Sequence, residues 1–445
     1  MTTPAPGSGS RIDWFTAICL LVSNVIGGGI FTVTGYLARD VGDPVLILGL
    51  WVVGALIALA GAFSYSELGA SLPQAGGDYV YLRHAYGPLA GFLSGWVSFV
   101  VGFGAAIAAS AVSFSAYVFR LVPWLEDGAV APAVPALALV WILTAVHVQG
   151  VSIGGLVQRL LTTTKVAALL FLIVGGLAFG EGSWEHLSVR AGNAQPSFGV
   201  AAVALVFVFY TYLGWNVAGY VAGELTDPTR TLPRIVVGGT IVVAILYLLI
   251  NLVYFFALPV TVLGKPPLLP VAEKAAGALW GPGSARFLTL LLCISITGAV
   301  SAMIWAGPRV YWAMAKDGTF LRFFSHVDSR TGAPARAIVL QSLWASVLII
   351  TGTFEQLVLF GGAVLAVFTT LTVGAVLILR RRYPELPRPY RTPWYPVVPL
   401  MFMLAMLLLV ATIITTRPGE ALMGLGTIVT GAAAYWLFFK RAVSP

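Results

Sequence analysis

Charge is what this sequence has least of: Asp, Glu, Lys and Arg make up 9% of its 445 residues, where a soluble domain carries about a quarter. Stretches such as 97–119 and 399–416 contain no charge at all, which excludes a separate water-soluble domain and with it a receptor or scaffold built around one. Cysteine is nearly absent, and the two present, Cys19 and Cys293, both fall in apolar runs, so no external disulfide can be made from them. Of four histidines, His84, His186 and His326 fall between apolar runs and only His147 falls within one. None of them stands at metal-ligand spacing from a Cys, His or carboxylate, and neither a Ser/His/Asp nor a Cys/His set nor a paired carboxylate is in place. An embedded hydrolase or metalloenzyme is therefore not expected, nor is any cofactor. The opening "MTTPAPGSGSR" has no apolar core and no small-residue cleavage site, so residues 1–11 are expected to form a disordered cytosolic tail.

What is abundant is apolar surface: 59% hydrophobic residues and a mean hydropathy of +0.92 describe a polytopic membrane protein. Runs of about 17–25 apolar residues suggest twelve spans, at 13–38, 44–68, 88–118, 133–150, 156–179, 198–222, 235–258, 284–315, 337–353, 355–379, 396–416 and 421–439. The runs are too long for barrel strands, and a backbone crossing lipid must satisfy its own hydrogen bonds, so the expected fold class is all-α. With both termini cytoplasmic, most Lys and Arg residues fall on the inside, as the positive-inside rule requires, which fixes the expected orientation in a cytoplasmic membrane. The basic stretch "RRRYPELPRPYR" (380–391) then faces anionic lipid, and nucleic acid is not an expected partner.

The run "SNVIGGGIF" (23–31) interrupts this pattern, because consecutive glycines are poor helix formers and each costs about 0.5–1 kcal/mol relative to alanine. Unwound backbone at mid-membrane is tolerated only where it lines a cavity or packs against protein, so Gly27, Gly28 and Gly29 predict a broken first span beside a polar substrate. A matching break is expected in the sixth span, "VFVFYTYLGWNVAGYVAGEL" (206–225), around Leu213–Asn216. Spans 1 and 6 are five apart, the spacing of a 5+5 inverted repeat: residues 12–180 as the first repeat, 198–379 as the second, and 396–439 as two added spans.

Four motifs in order carry a family resemblance: "VSNVIGGGIFTVTG", "SYSELGASLPQAGGDYVYLRHAYGPLAGFLSGW" (64–96), "GELTDPTRTLPRIV" (223–236) and "GPRVYWAMAKDGTF" (307–320). They resemble the amino acid–polyamine–organocation (APC) superfamily over nearly the whole chain. "YTYLGWN" is most similar to the bacterial members of its L-type amino acid transporter branch. Eukaryotic members of that branch are tied to a heavy subunit through a cysteine after span 3; the loop "RLVPWLEDGAVAP" has none, so a disulfide-linked heavy subunit is not expected.

The resemblance implies transport by alternating access. The substrate's α-carboxylate would meet free N–H groups around Gly27, Gly28, Gly29, Ile30 and Phe31, at the positive end of the second half of span 1. Its α-ammonium would meet carbonyls of Val25 and Ile26 on span 1 and of Tyr210, Thr211, Tyr212 and Leu213 on span 6. Side-chain selectivity falls to the walls, with Tyr210, Trp215 and Asn216 as candidates and Ser23 and Asn24 behind them. Tyr210 stands where the family has an aromatic that closes over the substrate from outside. Lys165, an ammonium inside span 5, is costly to place there. The family implies that it reaches toward spans 1 and 8, where sodium-coupled relatives bind a cation, so that sodium is not required; a lysine whose charged form is disfavoured by burial could instead exchange a proton during the cycle. Arg309 and Glu67, at span ends, are expected to serve the inward gate, with Arg309 paired to Glu67 or Glu224.

The carboxylates in or beside spans, Glu67, Glu224 and Glu355, all fall near ends, so no acidic side chain is expected at the site. Neutral L-amino acids are the expected substrates, and cationic amino acids or polyamines the alternative. Exchange and proton-coupled transport both fit the residues.

Overall fold

A computed structural model describes residues 12–439 apart from 128–129, 193–196, 267, 269–270, 329, 353 and 417. The expected tail 1–11 and the side chain of Glu355 lie outside the described residues. Eight helices are long and apolar enough to cross a bilayer, and four shorter apolar helices stand in the positions of spans 1, 4, 6 and 9, so the twelve expected spans are all accounted for. Among the described residues there is no strand, only an isolated bridge between Ile12 and Leu225.

Boundaries follow local chemistry. Asp13 caps the first half of span 1 (Trp14–Val25) by accepting from the Thr16 amide at 3.0 Å. Asp43 accepts from the amides of Val45 and Leu46 ahead of span 2 (Pro44–Ser71), with Pro44 in the first turn. Spans 5 (Val151–Phe179) and 7 (Pro228–Ala257) begin several residues before their apolar runs. Gly154 and Gly155 in one, and Arg230 and Arg234 in the other, lower the local hydropathy without interrupting the helix. Span 3 (Pro88–Leu121) loosens into a π-turn at Ser98–Phe103, beside the central cavity.

Two spans are discontinuous. Span 1 stops at Val25, passes through Ile26–Gly28 without helical structure, and resumes as a tight turn, Gly29–Phe31, and a helix, Val33–Asp40. Span 6 stops at Tyr212 and resumes at Val217–Tyr220, with Leu213 extended and Gly214 at φ +109°, a conformation that favours glycine. The halves cross: the first half of span 1 packs on the second half of span 6, and the second half of span 1 on the first half of span 6. The first half of span 1 is further enclosed by spans 5, 7 and 8. Spans 11 (Val397–Thr416) and 12 (Pro418–Ala434) are peripheral and turn Leu404, Leu407, Leu408 and Leu425 outward, as lipid-facing helices do.

Candidate substrate site between the broken spans

The two breaks face a shared cavity of about 540 Å³. At one end it reaches Tyr36, Arg39 and Asp40, the last two paired at 2.6 Å with half-exposed side chains. At the other it stops against Asp78, Tyr220 and Phe103, all buried. The cavity is thus accessible from one side only.

Gly27, Gly28 and Gly29 line its middle. A side chain built on Gly28 would meet no atom within 4 Å, so the bare face of this glycine looks into open space. Among the described residues the Gly28 N–H has no acceptor, and the amides of Gly29 and Ile30 open the first turn of the resumed helix, where intrahelical acceptors are lacking. Three such N–H groups at a positive helix end suit a carboxylate. Gly29 differs from its neighbour: a side chain there would strike Thr211, so this glycine permits the close crossing of spans 1 and 6. Ile30 and Phe31, expected at the site, are buried and do not line the cavity.

The carbonyls at the breaks are more occupied than the sequence suggests. Val25 O accepts from the Gly27 amide and from the Tyr247 hydroxyl, each at 2.8 Å, which fills both lone pairs and removes it as an ammonium acceptor. Ile26 O accepts from Lys165, Tyr210 O from the Leu213 amide at 3.2 Å, and Thr211 O from Tyr247 at 3.1 Å. Tyr210, Thr211, Leu213 and Asn216 line the cavity. Tyr212 and Trp215 do not: Tyr212 packs on Trp51 and Tyr247, and Trp215 on Tyr65 and Phe402, so both support the wall from behind. The sequence could not separate these rings, because a broken helix loses the periodicity that assigns side chains to faces. Asn24 lines the cavity and donates to Gly214 O at 3.0 Å, tying one break to the other.

Lys165 is buried to 1% exposure and donates to Ser23 O at 3.0 Å, to Ser23 Oγ at 3.2 Å and to Ile26 O. Its ammonium therefore caps the negative end of the first half of span 1. Span 8 leaves room for it at Gly298, where a Cβ would lie 2.7 Å from Ser23 Oγ and 3.4 Å from Lys165 Cε. Arg309 pairs with Glu224 at 2.7 and 3.2 Å, which decides between its two expected partners. Glu67 belongs to a separate cluster: it accepts from Arg380 at 2.7 Å and from the Thr392 amide at 2.7 Å, with Arg388 3.6 Å away. Sequence separation of some 300 residues hid that partner.

Two further residues at the site are missing from the sequence-based expectations. Tyr247 sits in an apolar run where nothing in the pattern marks it. Asp78 opens the short helix Asp78–Tyr86 before span 3, after Gly76 and Gly77 at φ +122° and +51°; that glycine pair followed by an acidic residue was the available signal of a helix start. Its presence corrects the expectation that no carboxylate stands beside the cavity. Asp78 Oδ2 accepts from the Tyr220 hydroxyl at 2.7 Å and from Asn216 Nδ2 at 3.3 Å.

A model of the amino acid permease family matches residues 12–438. The serine/threonine exchanger SteT of Bacillus subtilis (strain 168) is similar, at 28% identity over the full length of both chains. The b(0,+)-type amino acid transporter 1 of Mus musculus is 28% identical over 96% of this chain and 88% of its own. The large neutral amino acids transporter small subunit 2 of Homo sapiens is 27% identical over 98% and 83%.

Proposed function

The chain belongs to the amino acid permease family, and we propose that, as an integral membrane amino acid transporter, it moves neutral L-amino acids without sodium, by exchange or coupled to protons. The observation that carries this reading is the open face of Gly28 in the middle of the cavity, beside N–H groups without acceptors. A carboxylate fits there, and every amino acid has one. Two of the relatives are named for serine and threonine or for large neutral amino acids, which supports neutral substrates. Asp78 favours the cationic alternative, but its Oδ2 is already engaged by Tyr220 and Asn216 at the closed end.

The same reading takes Lys165 in place of a sodium ion, and Arg309 with Glu224 as part of the gate at the closed end. Glu67 anchors the segment after span 10 to span 2, and so holds the frame around that gate. The proposal includes two five-span repeats, 12–180 and 198–379, supported by the matched breaks. It also places both termini in the cytoplasm of a cell whose cytoplasmic membrane holds the protein, supported by the distribution of basic residues. It needs no disulfide-linked heavy subunit, since Cys19 and Cys293 are both buried within spans.

The test is reconstitution into liposomes with a panel of labelled amino acids, including serine, leucine, arginine and lysine, with and without internal substrate, sodium and a proton gradient. Uptake of neutral amino acids unchanged by sodium is the expected result. Strong sodium stimulation, or uptake confined to arginine and lysine, would overturn the corresponding part.

Trp215 supplies a narrower check. Because it stands behind the wall, Trp215→Ala is expected to lower stability by about 3–5 kcal/mol while leaving the order of preference among neutral amino acids unchanged. Thermal unfolding with and without substrate, followed by competition in liposomes, reads both effects.

A further inference from the structure

Asp78 is a carboxylate without a counter-charge. It is 6% exposed and lines the closed end of the cavity, and among the described residues it forms no ion pair. Its Oδ2 has two donors, both on the second half of span 6 or at its start: the Tyr220 hydroxyl and the Asn216 amide. Its Oδ1 has no hydrogen bond. The titratable groups that face it are all tyrosines: Tyr65 on span 2, Tyr81 on its own helix and Tyr220 on span 6, with the Thr372 hydroxyl nearby on span 10. Burial raises the carboxyl's pKa, and the hydroxyls and the Asn216 amide counter that only in part.

Opening the cavity at this end requires the second half of span 6 to part from the helix that carries Asp78. That movement takes away both donors to Oδ2 and leaves only the Tyr65 and Thr372 hydroxyls of spans 2 and 10 beside the carboxylate, and a buried carboxylate that loses donors and has no cation favours binding a proton. We infer that Asp78 is a proton-binding group of the transport cycle, taking a proton from cavity water as Tyr220 and Asn216 release it and returning the proton when they close again. One O–H bond forms at Asp78 and one breaks in hydronium or water, with no other reactant. The inference rests on the transport reading above and selects proton coupling within it.

The test uses the full-length protein in liposomes, with labelled serine or leucine as probe, and compares uptake with an outward proton gradient, acid inside, to uptake at equal pH on both sides, because a proton bound as the closed end opens and released as it closes moves opposite to the substrate. The native protein is expected to concentrate the label in response to the gradient, and Asp78→Asn is expected to lose that response, with Asp78→Glu restoring it. Tyr220→Phe provides a second measurement should Asp78→Asn fail to fold. Removing a donor favours the protonated acid, so the midpoint of the pH dependence moves upward. A native protein that exchanges the label but ignores the gradient, an Asp78→Asn protein that still responds, or an unmoved midpoint in Tyr220→Phe would each overturn the proton assignment. Loss of arginine uptake alone in Asp78→Asn, with the gradient response intact, would overturn it in favour of a substrate-recognition role. Failure of the native protein to exchange any amino acid would instead remove the transport reading itself.

Discussion

Gly28→Val is expected to abolish binding of every amino acid while the protein still folds. The residue sits at φ −69° and ψ −24°, ordinary right-handed backbone open to any side chain, and a Cβ there meets nothing within 4 Å. Folding therefore has no steric reason to fail. The valine would instead fill the space beside the acceptor-less N–H groups, where the carboxylate is proposed to bind. A hydrogen bond to a charged group contributes about 1.5–3 kcal/mol, so excluding the carboxylate from two of them weakens binding on the order of a hundredfold to ten-thousandfold. Gly29→Ala is the informative contrast, because its Cβ would strike Thr211 and the damage falls on the crossing of the two spans. Binding of a panel of small and large neutral amino acids to the purified variants separates the cases. Normal binding of any of them by folded Gly28→Val would show that the glycines serve packing alone.

Lys165→Ala is expected to reduce transport severely and stability only slightly. The ammonium makes three hydrogen bonds to the end of the first half of span 1, yet among the described residues no carboxylate pairs with it, so its burial carries a desolvation cost that offsets much of what those bonds contribute. Truncation removes both terms together. What is lost without compensation is the tether between span 5 and the backbone that delivers Ile26 to the break. The check pairs thermal unfolding with exchange in liposomes: full turnover in the folded variant would reject the role, and turnover restored by sodium in Lys165→Ala would support the reading that the ammonium stands in for a cation.

The spans were legible because a bilayer imposes one rule on every segment, about twenty apolar residues with an internally bonded backbone. The glycine run was legible for the complementary reason, that it violates the rule at a depth where violations must line something. Contacts between distant side chains follow no such local rule. Trp215 and Tyr210 are five residues apart in the same aromatic stretch, yet one backs the wall and the other faces the cavity, because the turn at Gly214 resets the helix phase between them. Glu67 and Arg380, and Asp78 and Tyr220, are brought together only when the spans pack. Asp78 was further obscured because it lies outside every apolar run, in a segment that hydropathy assigns to the surface.

The hydroxyl of Tyr247 reaches the carbonyls of both Val25 and Thr211, one proton serving two acceptors, one on each broken span. The two breaks are thereby pinned to a common point on span 7, with Asn24 and Gly214 forming a second pin between them. Two joints fastened twice lose their independent freedom. A guest lying against them meets two breaks that are fastened to each other, so closure by one span alone must break the hydrogen bonds that join them, at about 0.5–1.5 kcal/mol each, and movement of the two together is favoured.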